Sequence, residues 1–180
     1  DAIFGNNVNG ATISNCEIAN LTNNGTGVQD DSATGTWVVS GNTLSNNDSF
    51  GIIFGVDNGG NLTLTISNNS ITGNTNGGIG ITGAGSGSMR CLISGNTLSG
   101  NGATGSVELS AGGTSNLCFD IFGNTNDGDY SFGRLGTIPV LEVEQLSQLL
   151  AINNNSGNID NNNGGGLFPA TEVADGACGF

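Results

Sequence analysis

The chain has no lysine and no histidine, and its only cations are Arg90 and Arg134. Without histidine there is no Ser-His-Asp triad and no imidazole-ligated zinc. Against those two arginines stand 15 acidic residues, a formal net charge of -13. That balance repels phosphate backbones and anionic bilayers, so neither nucleic acid nor a membrane is an expected partner. Charged residues are only 9% of the sequence, so the acidic excess keeps an otherwise neutral, Asn-rich surface soluble. No apolar run reaches the length of a membrane span. The longest apolar-rich segment, residues 138–152, is broken by Glu142, Glu144, Gln145 and Gln148. No signal-peptide pattern opens the chain, which reads as mature or trimmed.

What the chain does contain is glycine, 33 residues of it, and an apolar fraction of 35% that recurs at fixed intervals. Periodicity separates an ordered repeat from a disordered tract of similar composition. The segments VVSGNTLSNN (38–47), TISNNSITGN (65–74), LISGNTLSGN (92–101) and DIFGNTNDGD (120–129) align, with TISNCEIANL (12–21) as a degenerate fifth. Their anchors, Cys16, Asn42, Asn69, Asn96 and Asn124, lie 26, 27, 27 and 28 residues apart. Three residues before each anchor stand Ile13, Val39, Ile66, Ile93 and Ile121, and five before stand Ala11, Trp37, Leu64, Cys91 and Phe119. Alternating apolar residues mark a strand with one buried face. A further strand follows a Gly-rich turn, with Ile52 and Phe54, Ile79 and Ile81, Val107 and Leu109 as its apolar positions.

These columns predict an all-β fold, a parallel β-helix of about five coils spanning residues 1–134, with like residues stacked about 4.8 Å apart. Asn42, Asn69, Asn96 and Asn124 are expected to form one amide ladder inside a bend. Asn47, Asn74, Asn101 and Asp129 form a second polar column. Both are read as scaffold, not as binding residues.

The coils I-S-x-N-x-[IL]-x-x-N at 39–47, 66–74 and 93–101 resemble the right-handed parallel β-helix proteins of the pectin-lyase-like superfamily. The remaining segment, 135–180, is expected to close the same domain. VLEVEQLSQLLAINN (140–154) carries Val143, Leu146, Leu149 and Leu150 at helical spacing, and reads as a helical cap over the last coil. The tail then runs back along the solenoid wall, an ending similar to that of secreted bacterial β-helix repeat proteins. Cys91 occupies an inward column, and Cys16 is about 14 Å from it, too far for a bond. Cys118 points outward and Cys178 ends the tail. A Cys118–Cys178 disulfide is expected, in keeping with a secreted or cell-surface protein.

The resemblance implies several chemistries, and the sequence lacks the parts of each. A pectate-lyase-like site wants an Arg or Lys base beside calcium-binding Asp residues, whereas Arg90 reads as a surface ion-pair partner of Asp120. A polygalacturonase-like site wants paired Asp with His- and Lys-containing motifs. Asp30 and Asp31 are adjacent and so face opposite sides of a strand. No catalytic residue, cofactor or metal ligand is assigned. Asp57, Asp127 and Asp129 could serve a cation but fit turns better and match no calcium-loop pattern. An ice-binding array would need outward Thr columns, and the columns four and six before the anchor (Thr12, Val38, Thr65, Leu92, Asp120; Gly10, Thr36, Thr63, Arg90, Cys118) are not sustained. Among aromatics that could serve a glycan, Trp37 lies inward, which leaves Tyr130 and Phe50.

The expected function is therefore an extracellular structural or adhesive solenoid without catalysis. The alternative is a polysaccharide-binding or degenerate carbohydrate-active β-helix. The N-terminal coil shows no cap, so a longer precursor or end-to-end stacking of copies is expected there. Expected partners are a second copy or a cell-surface glycan or protein.

Overall fold

A computed structural model describes residues 1–102, 106–161 and 168–180. The chain winds as a parallel β-solenoid whose three sheets are visited in turn, each strand hydrogen-bonded to its equivalent one coil away. The first sheet contains Ile3–Gly5, Val28–Asp30, Phe50–Val56, Gly77–Gly83, Val107–Ala111, Tyr130–Arg134 and Ile159–Asp160. The second contains Asn9–Ser14, Thr34–Ser40, Asn61–Ser67, Ser88–Ser94, Asn116–Phe122, Val140–Glu144 and Thr171–Val173. The third is narrow: Glu17–Ala19, Thr43–Ser45, Ser70–Thr72, Thr97–Ser99, Thr125–Asn126 and Asn154–Asn155.

The inward columns stack in register, with Ile66 opposite Ile93 and Ile93 opposite Ile121. On the first sheet Val28, Ile52, Ile79, Val107 and Tyr130 superpose. These side chains are buried, and their burial drives the winding. Trp37 is part of this core, edge-on to Phe54 at a centroid distance of 5.0 Å.

Both Asn ladders form, and each ladder Asn follows a left-handed residue. Gly41, Asn68, Gly95 and Gly123 precede the first ladder with φ of 67°, 55°, 65° and 65°. Asn46, Gly73 and Gly100 precede the second with φ of 53°, 64° and 61°. Gly and Asn tolerate this conformation at least cost. The ladder residue itself is freed to turn inward and bond its neighbour. Asn69 donates its backbone N–H and its side-chain amide to Asn96 Oδ1, both at 2.9 Å. The same amide also caps the Val39 carbonyl in the preceding coil. Cys16 ends the ladder, contributing only its backbone N–H to Asn42.

The C-terminal third departs from the expectation. The coils do not stop near residue 134. Val140–Glu144 pairs in parallel with Asn116–Phe119, which makes a sixth coil, and Thr171–Val173 begins a seventh. The expected helix over 140–154 is therefore half strand. Its helical part is a 3-10 turn, Leu146–Gln148, followed by a four-residue α-helix, Leu149–Ile152. Val143 points inward because strand alternation and helical spacing coincide over so short a segment. The helix replaces a left-handed corner and delivers Asn153 to the first ladder. Asp129 does not continue the second ladder, since its carboxylate turns to the backbone N–H of Asn158 at 2.7 Å.

The last residues do run back along the wall. After Val173 the chain crosses the outer face of the second sheet. The Cys118–Cys178 disulfide fixes it there, with Cα atoms 5.4 Å apart. Cys16 and Cys91 are free thiols, and burial pushes the Cys91 thiol well above its ordinary range.

Candidate functional site

The residues that could have carried chemistry are dispersed. Asp30 and Asp31 do not form a pair: Asp30 ends the strand Val28–Asp30 of the first sheet, and Asp31 opens the turn that follows. Asp30 is fully buried and accepts backbone N–H groups from Val8 and Ser32. Asp31 is exposed and accepts from Gln29 Nε2. Arg134 donates to the carbonyls of Pro169 and Pro139, which ties two loops together. Asp57 accepts the backbone N–H of the next residue, Asn58, as a turn residue does, and Asp127 accepts that of Gly100 in the preceding coil. Among the described residues no group of three potential ligands is placed to hold a metal ion. Tyr130 is not an exposed aromatic: it is wholly buried and stacks on Phe132. Phe50 lies half-buried, against the backbone of Gly80.

Two outer faces remain. The first is a groove of about 560 Å³ on the second sheet, between the coil wall and the returning tail. Thr36, Thr63 and Arg90 form its floor in register, and Asn61, Asn116 and Glu142 flank them. Ala177 and Cys178 of the tail supply one wall. Arg90 forms no ion pair with Asp120 among the described residues. Its guanidinium instead sits over the Phe180 ring, 5.9 Å from the centroid. The reason is register: Arg90 faces Cys118, while Asp120 faces Leu92. Asp120 is left without a cation, and burial, then Glu144 and Asp175, raise its carboxyl from the ordinary 3.8 to about 6.

The second face is the outside of the third sheet, which column reading of the sequence missed. Thr43, Ser70, Thr97 and Thr125 form one outward row. Ser45, Thr72 and Ser99 form another, two residues along each strand. Among the described residues none of these seven hydroxyls has a hydrogen-bond partner. Strand geometry spaces them about 4.8 Å along the axis and about 6.6 Å across it. The rows considered in the sequence for such an array belong to the second sheet, where Val38, Leu92 and Arg90 interrupt them. The missed signal is in the anchor motif itself: the positions one and three after Asn read T-S, S-T and T-S in three successive coils.

Compared with family models, with curated proteins and with solved structures, the chain finds no match.

Proposed function

We propose that this chain is an extracellular adhesive β-solenoid, related in architecture to the pectin-lyase-like superfamily, that grips a solid, hydroxyl-rich polysaccharide without cleaving it. The observation that carries this reading is the pair of unpartnered hydroxyl rows on the third sheet. A single hydroxyl gains little by exchanging water for a ligand, since the bonds lost and made nearly cancel. Seven on a rigid frame are different, because their order is already imposed by the ladders beneath them and each further contact is intramolecular. Only a ligand with its own regular repeat meets them all at once. An ordered polysaccharide surface suits such an array better than a flexible soluble chain does. The seven hydroxyls carry no charge, and the row continues into the exposed Glu17 beside Thr43, so an uncharged surface is favoured over a polyanion. The disulfide supports an oxidising compartment.

The test is co-sedimentation with crystalline cellulose and chitin, with soluble oligosaccharides as a parallel arm. Depletion by the solids, lost in Thr72→Lys and Thr97→Lys, is the expected result. Failure to sediment with any solid would reject the reading. So would turnover of pectate or alginate that disappears on replacing Arg90.

A second reading places the ligand in the second-sheet groove, which holds Arg90, one of only two cations. Binding of soluble glycans that survives changes on the third sheet but not Arg90→Ala would select it. End-to-end contact between copies is a further part of the proposal. It is supported by Ile3, the inward-column residue of the first strand, which is only half-buried whereas Val28 in the next coil is fully buried. Light scattering across concentration, with Ile3→Lys as the control, tests that part.

A further inference from the structure

We propose that residues 174–180 are a latched strap, held shut over the second-sheet groove by the Cys118–Cys178 disulfide and released when a dithiol reduces that bond. The inference is independent of what the groove binds.

The strap crosses successive coils. The buried carboxylate of Glu144, in the sixth coil, accepts the backbone N–H groups of Gly176 and Cys178. Cys118, in the fifth, holds Cys178. Arg90, in the fourth, carries the Phe180 ring. Beyond these contacts the wall is hostile. Asp120 on the wall lies within electrostatic reach of Asp175 on the strap and of Glu144, both of which raise its pKa, and no ion pair with Asp120 forms among the described residues. Glu142 on the same strand lines the groove. Two amide bonds and one exposed stacking contact oppose that like-charge repulsion. The two bonds to the carboxylate are worth about 1.5–3 kcal/mol each and the stacking contact about 0.5–1 kcal/mol, together less than the ordering of a seven-residue segment at about 1–2 kcal/mol per residue. The covalent bond decides the balance. Both cysteines line the groove, which is the side from which a reductant must approach a bond whose residues are only 9% and 2% exposed.

The chemistry balances simply. The S–S bond breaks with two electrons and two protons supplied by the dithiol. The products are two protein thiols and the reductant's own disulfide.

The experiment is hydrogen exchange on the whole chain, oxidised and after treatment with dithiothreitol, with Cys178→Ser as the reductant-free equivalent. At pH 7.5 reduction should speed exchange at Gly176 and Cys178 by about tenfold or more, with the ladder amides of Asn69 and Asn96 unchanged. Cys118 should become reactive to iodoacetamide at the same time. At pH 4.5, after correction for intrinsic exchange rates, the acceleration should shrink, because protonation of Asp120 removes one of the like charges. Two results overturn the proposal. Strap amides that stay protected after complete reduction at pH 7.5 would show non-covalent attachment. Loss of ladder protection together with the strap would make the disulfide a staple of the core.

Discussion

Asn124 donates both its backbone N–H and its side-chain amide to Oδ1 of Asn153, at 2.9 and 2.8 Å, and so carries the inner ladder into a coil whose corner is a helix. Asn153 in turn donates to the Ile121 carbonyl and to Leu149 at the start of that helix. Each interior ladder residue thus satisfies two donors of the coil before it and one carbonyl two coils away from its own acceptor. These groups are buried, and removing a partner leaves them unsatisfied.

Replacing Asn96 by Ala strands the two N–H donors of Asn69 and the carbonyl of Ile66. The expected loss is about 2–4 kcal/mol. Cys16→Ala, at the ladder's end, should stay within about 0.5 kcal/mol. Denaturant unfolding of both variants checks the contrast, and equal effects would refute the ladder's role.

Gly5 lies under the buried Asp30 carboxylate, and a Cβ there would overlap Asp30 Oδ2. Gly5→Ala should therefore displace the carboxylate from the Val8 and Ser32 N–H groups. A cost of about 1–3 kcal/mol is expected. The double variant Gly5→Ala/Asp30→Ala should cost less than the two single changes combined. Strict additivity in a double-mutant cycle would contradict the contact.

The Tyr130 hydroxyl is buried beside Asn126 without a partner of hydrogen-bonding geometry, and burial raises its pKa. Asn126 spends its own amide on the backbone of Gly128. Tyr130→Phe should leave the fold unchanged or stabilise it by up to about 1 kcal/mol. A drop of more than that in thermal unfolding would reveal a bond the hydroxyl does make.

Asp120 has a folded-state pKa of about 6, above its ordinary 3.8. The folded chain therefore binds this proton more tightly than the unfolded chain, so the contribution of Asp120 to stability falls as pH rises from about 4 to about 6. It is constant on either side of that window. Asp120→Asn should flatten the stability profile between those pH values. An unchanged slope would place the origin of any pH dependence elsewhere.

Thr72→Val keeps the shape of the third-sheet face and removes one hydroxyl, whereas Thr72→Lys adds a charge and bulk. On a solid polysaccharide the first should weaken retention partially and the second abolish it. Neither should change the free energy of unfolding by more than about 0.5 kcal/mol, because the position is outside the core. Equal retention by both variants would remove the face from the binding account.

Strand order and coil spacing are legible in the sequence because they depend on local features that repeat. An apolar residue at every second position marks an inward face, and a Gly or Asn before each ladder Asn marks the left-handed corner that turns the chain. Four coils carry both signals, and the columns read from them stack as expected, Ile66 on Ile93 on Ile121. The same logic identifies Asp30 and Asp31 as residues that do not form a pair. Where the corner is built differently the signal vanishes. The sixth coil uses a short helix and has no S-[GN]-N motif, so Asn153 is invisible as a ladder residue, and Val140–Glu144, which obeys strand and helix periods alike, reads as helix. The partners of surface groups were decided only by tertiary structure. Arg90 stacks on Phe180, 90 residues away in sequence, because the disulfide brings the tail across its coil. Asp120 loses the cation expected for it because parallel register places Leu92, not Arg90, opposite. Periodicity sets which face a side chain takes, but which groups share that face depends on how the chain's ends are tied down, and no local pattern encodes that.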